Sequence, residues 1–443
     1  MPDLLRSIKL PHATAMVVGI IVGASIFTQP SEITRLVPTG LGVVLVWLAA
    51  GALTLCGALV CAELASVFPH TGGVYVFLKE IFSPILGFLW GWAMFWSVHS
   101  GILAAIAVVL ARYVGQFVQL SETAVRVVAI VAILLLSAIN FVGVKLGSAV
   151  QLALTVAKLA AIALIVVLLF WFGGNIRSSS AGQALSLSGP DLRSYGLAIA
   201  AGLFAFGGWH MVTYSAGETN NPERTIPRAL MLGTLIVTAC YVLLNAGYLY
   251  VLPLSEIANS NRVAAEAMGR VLGPGAGGAI AVLVVFSALG ALNGIILAGP
   301  RVYYAMAHDG LTFRWMGRIH PRFQTPHLAL VAQALWSSML VATNSYRRLF
   351  NRVVYTEWLF FALLAAGLFI LRRRPDYKPA FLAWGYPVLP IIFILASAGI
   401  VLSQCVANPR DTALGLGLLL LGVPVYFVWS RRLTGEARAN AHH

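Results

Sequence analysis

Twelve apolar runs, each about as long as a helix that crosses a bilayer, constrain this chain more than any other feature. A span needs about 20 mostly apolar residues, because a helix rises about 1.5 Å per residue and the hydrocarbon layer is about 30 Å thick. The runs lie near residues 12–36, 41–66, 85–111, 124–144, 149–172, 194–216, 229–252, 277–303, 327–344, 352–371, 385–406 and 411–430. The ninth and tenth are the weakest, because Arg347, Arg348 and Arg352 crowd their junction. Only 10% of the residues are charged and 59% are hydrophobic, whereas an ordinary soluble domain carries about 25% charged residues. Backbone polar groups in lipid must be satisfied internally, which leaves helices or closed barrels. An all-α membrane protein is therefore expected, with one transmembrane domain over residues 1–443 and the lipid bilayer as a partner. The longest loops, near 173–193 and 304–326, leave no room for a soluble domain.

A net charge of +14 could suit a nucleic-acid binder. The basic residues, however, sit in short clusters between apolar runs, without a basic stripe or an aromatic RNA motif. No nucleic-acid partner is expected. Read as anchors, the same residues give an orientation. With the N terminus cytoplasmic, 17 of the 29 Lys and Arg residues fall on inner segments and 11 on outer ones, with Lys158 inside a span. That bias predicts a multi-pass protein of the cell membrane with both termini cytoplasmic. The first run, from Ala13, has no signal-peptide cleavage site and is expected to remain as a helix. His442 at the end is set aside as a possible tag remnant. The four cysteines, Cys56, Cys61, Cys240 and Cys405, all fall inside apolar runs with no metal-ligand spacing. They read as small core residues, and neither a metal nor a cofactor is expected.

Two spans carry glycines in mid-membrane. The first reads Val18-Gly19-Ile20-Ile21-Val22-Gly23-Ala24-Ser25-Ile26-Phe27, and the sixth reads Ala201-Gly202-Leu203-Phe204-Ala205-Phe206-Gly207-Gly208-Trp209. Glycine costs about 1 kcal/mol relative to alanine inside a helix and lets the backbone unwind. For one helix, close packing through small residues would explain it. Two such helices, at matching places in successive sets of five, point to an inverted-repeat transporter with its site between the breaks. A half-helix beginning at a break offers N–H groups and a positive dipole end to a carboxylate. A half-helix ending there offers carbonyls to an ammonium. An α-amino acid carries both groups, and neither break contains a charged side chain.

Four blocks resemble the amino acid–polyamine–organocation superfamily, in particular its L-type amino acid transporter family. Gly23-Ala24-Ser25-Ile26-Phe27 is similar to a Gly-Ser-Gly-Ile-Phe motif. Gly202–Trp209 leads into Glu218-Thr219-Asn220-Asn221-Pro222-Glu223-Arg224-Thr225-Ile226-Pro227-Arg228, similar to the family's broken helix and the loop after it. Ala62-Glu63-Leu64 with Phe68-Pro69, Gly72-Gly73-Val74-Tyr75 and Gly91-Trp92 make a third block, and Leu292-Asn293-Gly294 with Arg301 a fourth. The resemblance implies a LeuT-type fold. Two inverted five-helix repeats (12–172 and 194–371) would be followed by two peripheral helices (385–430), with helices one and six unwound. It implies alternating access and exchange or uptake of amino acids. By position, amides of Ala24, Ser25 and Ile26 beside Gly23 would hold the carboxylate, and carbonyls of Ile20, Ile21 and Phe204 the ammonium. Phe206 and Gly207 would also line the substrate site, and Phe204 would gate it as well. Ala24 and Ser25 depart from the motif, and Ser25 adds bulk where substrate should approach. Eukaryotic light subunits are tied to a heavy glycoprotein by a cysteine after span three. The stretch 112–123 has none, so no disulfide-linked heavy subunit is expected.

Single polar residues add detail. Lys158 lies about nine residues into the fifth run, roughly 13 Å of helix, which is far for a side chain that must snorkel to the interface. The resemblance implies that Lys158 stands where sodium-coupled relatives bind sodium, which predicts sodium-independent transport. Asn293 could face substrate or bond between helices. His99 and His210 are open between packing and proton transfer. Glu63, Glu218, Glu223, Arg224 and Arg228 fall at the inner surface as a gating latch or a solvated face. The expected substrates are neutral L-amino acids of small or medium size. A cationic amino acid or polyamine exchanger is the alternative, for which Glu357 is the one acidic candidate. A membrane amino acid sensor or a membrane-embedded transferase would need a signalling domain or paired catalytic groups, and neither is visible.

Overall fold

The computed structural model describes residues 4–23, 25–175, 190–260, 262–273, 275–343 and 355–430. Among them there is no sheet, only an isolated parallel bridge between Ile8 and Thr219. Helices α1 (Leu10–Ile21) and α2 (Ser25–Leu36) are bent by 49° from one another and together make one apolar span. Then follow α3 (Gly40–Val67), the short α4 (Val74–Ile81), α5 (Pro84–Val114), α6 (Glu122–Val142) and α7 (Val144–Phe172). After residues outside the description, α8 (Leu192–Ala205) leads through a break into a 3-10 segment, Trp209–Glu218. Next come α9 (Pro222–Val251), two short helices α10 (Leu254–Asn259) and α11 (Val263–Leu272), and α12 (Ala276–His308). The last are α13 (His327–Ala342), α14 (Thr356–Leu371), α15 (Val388–Ala407) and α16 (Pro409–Ser430).

Local chemistry sets several of these ends. Ser121 caps α6 by accepting from the Ala124 amide at 3.2 Å, and Asp191 caps α8 by accepting from Ser194 at 2.8 Å. Each satisfies one of the amides a helix start leaves without an intrahelical partner. Pro84, Pro222 and Pro409 open their helices, where the missing N–H costs nothing. Inside α5, one π-helical turn over Met94–Val98 re-aims the chain.

Nine helices among the described residues are long and apolar enough to cross a membrane, and the bent α1–α2 pair makes a tenth. The chain is a multi-span, all-α membrane protein. Helices α13 and α14 are apolar but run only 16 residues each. They coincide with the two weakest runs of the sequence, and the Arg347–Arg352 junction between them lies outside the described residues. Burial separates core from periphery. In the apolar window of α12, 78% of residues are buried inside the protein, against 17% in α15 and 22% in α16. Helices α1, α3, α7, α9 and α12 pack directly on one another around that centre. Between the spans, α4 lies in the connection after α3, and α10 and α11 lie in the connection after α9.

Candidate functional site

Both glycine-rich breaks are real departures from helix. After Ile21 the ladder stops: Val22 takes ψ 83°, and the Gly23 amide bonds to the Ile21 carbonyl at 2.8 Å. In the sixth span Phe206 leaves helical geometry and Gly208 sits at φ 93°. That left-handed region favours glycine. A Cβ at Gly208 would also collide with the Ile20 side chain, so the two breaks touch.

The breaks are held by polar side chains from three other helices. Lys158 is the fifteenth residue of the 29-residue α7 and is fully buried. Its Nζ donates to the carbonyls of Gly19 at 3.0 Å, Val22 at 2.7 Å and Ser287 at 2.9 Å. Ser287 Oγ donates to Val22 at 2.9 Å. Tyr241 Oη reaches the Ile21 and Ala205 carbonyls, each at 3.1 Å, and so ties the first break to the second. Lys158 therefore supplies a positive charge to carbonyls that the helix ending has released. Its head fits because position 290 is glycine: a Cβ there would stand 2.8 Å from Nζ.

Between the breaks lies a cavity of about 290 Å³. Of the residues expected at substrate, Ile20, Ile21, Gly23, Ser25, Phe204 and Gly207 line it. Phe204 is half-exposed over it. Ala24 lies outside the described residues. Three expected residues are not among those lining it. Ile26 is packed in the core, and Phe206 packs on Trp47 and Tyr241. Asn293 is fully buried and bonds between helices: it accepts from Asn140 at 2.8 Å and donates to Gly147 at 3.1 Å and Gln151 at 2.9 Å. Its facing direction is set by the 3.6-residue period of α12, which no reading of polarity alone could fix. The wall also holds Glu357, the one ionisable side chain among the lining residues, flanked by Trp358.

The bundle end opposite the Glu357 level is closed by ion pairs. Arg301 donates from Nε to Glu218 at 2.7 Å and from an Nη at 2.8 Å, with both side chains fully buried. Glu63, also fully buried, accepts from Arg372 at 2.9 and 2.6 Å, from Tyr377 at 2.7 Å and from the Ala383 amide at 2.6 Å. Burial and the bond to Glu63 push the Tyr377 hydroxyl up from its ordinary value. Lys79 pairs with Asp309 at 2.8 Å. The N-terminal strand lies across this end, with the amides of Ser7 and Ile8 on the Glu218 carbonyl, each at 2.9 Å. The expected latch of Glu218 with Arg224 and Arg228 does not form. Those two arginines, one turn apart on the outer face of α9, are exposed, and Glu218 points into the bundle toward Arg301. Glu223 is only partly buried. His99 accepts or donates at 3.0 Å with Tyr303, and His210 sits inside a box of Trp90, Trp209, Tyr214 and Phe361 rings.

The sequence profile of the amino acid permease family matches residues 8–425. The chain belongs to that family. This permease is 31% identical over 433 residues to the serine/threonine exchanger SteT of Bacillus subtilis, covering 97% of this chain and 98% of that one. It is 30% identical to the human b(0,+)-type amino acid transporter 1, over 98% of this chain and 90% of the relative. It is 29% identical to the human cystine/glutamate transporter, over 97% and 87%. The permease is thus a secondary amino acid transporter of the amino acid–polyamine–organocation superfamily, and the transferase reading falls away. Sequence reasoning missed Ser287, Gly290 and Tyr241, which complete the break. Ser287 and Gly290 stand three apart on one helix face, a spacing that could have marked them.

Proposed function

We propose that this permease exchanges or takes up neutral L-amino acids by alternating access, without sodium. The observation that supports the reading is the cavity lined by residues of both broken helices, with Lys158 holding the first break. In this reading the amides after Gly23, at Ala24, Ser25 and Ile26, receive the α-carboxylate. The carbonyl side of the breaks, at Ile20, Ile21 and Phe204, receives the ammonium. Phe204 closes over the substrate. A fixed ammonium at Nζ occupies the place where a coupling cation would otherwise neutralise the freed carbonyls, which supports sodium independence.

The bundle is read as twelve spans. The ten long ones are joined by α13 and α14, arranged as two inverted five-helix repeats over 12–172 and 194–371, followed by peripheral helices over 385–430. Both termini are placed on the cytoplasmic side by the excess of Lys and Arg there. With that orientation the ion-paired end is the inner one and the cavity faces outward.

A second reading has one specific observation in its favour. Glu357 in the cavity wall suits a substrate with a cationic side chain, so a cationic amino acid or polyamine exchanger is the alternative. Counterflow in sodium-free proteoliposomes with a panel of labelled amino acids decides between them. Fast exchange of small neutral amino acids supports the first reading. Exchange confined to lysine, arginine or polyamines overturns it.

A further inference from the structure

Glu357 lies in the first turn of α14, where an acid suits the helix dipole, yet it stands apart from the other buried acids. Its side chain is nine-tenths buried, its Oε1 finds no hydrogen-bond partner, and it stands near the start of an apolar helix in the middle of a membrane protein. A buried acceptor without a partner costs about 1–3 kcal/mol, and more for an ionised group. The carboxylates at the far end of α14 are handled differently. About 22 Å along the helix, Glu63 is answered by Arg372, Tyr377 and a backbone amide. Among the described residues no such group answers Glu357 Oε1.

Among the described residues the neighbouring elements bring no unpaired cation to it; from α5, which packs on α14 through Trp90, the ionisable groups are His99, Arg112 and Tyr113, with Arg112 paired to Glu122. From α3 the ionisable groups are Cys56, Cys61 and Glu63, the last held by Arg372. From α4 they are Tyr75, Lys79 and Glu80, with Lys79 held by Asp309. From α15 there is Cys405. From the 3-10 segment they are His210, Tyr214 and Glu218, the last held by Arg301. Among these, the Tyr214 hydroxyl is also buried without a partner. Behind Tyr214 stand two histidines, His99 and His210, each with its ring 5.6 Å from the tyrosine ring. Both nitrogens of His210 and Nε2 of His99 are buried without a partner. Tyr214, His210 and His99 thus form one cluster of buried polar groups with unpartnered atoms.

Closing the cavity completes the burial of Glu357. A carboxylate shut away from water without a counter-charge is far more costly than a protonated one. A neutral amino acid enters as a zwitterion of net charge zero and cannot supply that charge. We infer that Glu357 is the proton site of the transport cycle: it takes a proton from the open cavity, closes with it beside a neutral amino acid, and releases it on the other side. The only atom transferred is that proton, from water to the carboxylate and back to water. The inference rests on the cavity being the amino acid site, and it adds a coupling ion to that reading.

The experiment uses the full-length protein in proteoliposomes, with labelled L-serine or whichever neutral amino acid exchanges fastest in the counterflow panel. Membrane potential is clamped at zero with potassium and valinomycin. An acid-outside gradient should drive uptake above the equilibrium level by roughly tenfold per pH unit for one proton per substrate. A pH dye in the lumen should report acidification that needs the amino acid. In Glu357→Gln the ratio of gradient-driven accumulation to counterflow should fall to one, and Glu357→Asp should restore it. Robust counterflow by the wild type without accumulation or acidification overturns the proton site while leaving the transport reading intact. So does an undiminished gradient response in Glu357→Gln. Should Glu357→Gln fail to fold, a missing wild-type dye signal overturns the proposal, and where the signal is present a pH profile of accumulation unchanged in Glu357→Asp overturns it. Absence of counterflow for every amino acid overturns the transport reading and the proton site together.

Discussion

Replacing Lys158 by alanine tests what holds the first break. The wild-type Nζ is bonded to three carbonyls, and the losses would be unequal. Val22 keeps the Ser287 hydroxyl at 2.9 Å. Gly19 loses the ammonium outright, because the Gly23 amide that would continue the ladder is turned to Ile21. Each buried carbonyl stripped of its donor costs about 1–3 kcal/mol. The unwound segment should relax to recover part of that, and any shift moves the amides read as the carboxylate site. A loss of about 1.4 kcal/mol at the transition state is tenfold in rate, so transport should fall at least tenfold. Insertion should improve slightly, since a charge leaves the centre of a span. Lys158→Arg should not rescue. The guanidinium is larger, and the space is bounded by position 290, where even a methyl group would meet Nζ at 2.8 Å. The assay is counterflow rate, normalised to folded protein by gel filtration, for wild type and both variants. Wild-type rates in Lys158→Ala would refute the reasoning and remove the main support for sodium independence.

Gly208→Ala should reduce transport sharply, because it strains a φ of 93° and drives a methyl group into Ile20; unchanged counterflow would show that the second break does not need its geometry. Glu218→Gln should destabilise the protein by about 3–5 kcal/mol, the cost of stranding one member of a buried ion pair, read as a lower Tm in detergent; an equal loss in Arg224→Gln, on the exposed face, would contradict the assignment of the latch. In native membranes the protein should migrate at the same mass with and without reductant, and a reductant-sensitive larger complex would overturn the absence of a disulfide-linked subunit.

The parts of this molecule legible in the sequence are those that follow from backbone chemistry. Apolar run length gave the helices, because a membrane enforces a minimum length. Glycine placement gave both breaks, because only a few residues tolerate the geometry of Gly208. Side-chain direction was not legible. Asn293 and Phe206 lie within a few residues of positions that face the cavity, yet each is turned away by helical phase and packs against other helices. The latch was read between residues near in sequence, Glu218 with Arg224 and Arg228. The fold instead brings Glu218 to Arg301, 83 positions on. Proximity in the chain favours such local pairings in thought, whereas burial selects the partner that can follow a carboxylate into the core.

Charge is distributed here according to what must move. Two buried acids are answered by cations, Glu218 by Arg301 and Glu63 by Arg372, while Lys158 is held by three neutral carbonyls. Each ion pair removes a net charge from the balance that opening and closing would otherwise have to meet. Glu357 is left unmatched and stands in the cavity wall. A permease whose every buried charge were paired would have no reason to distinguish a protonated from an unprotonated cavity. One whose gate pairs were loose would open at both ends. With those ion pairs made and Glu357 Oε1 unpartnered among the described residues, the proposed proton site would make the energy of closing depend on what occupies the cavity.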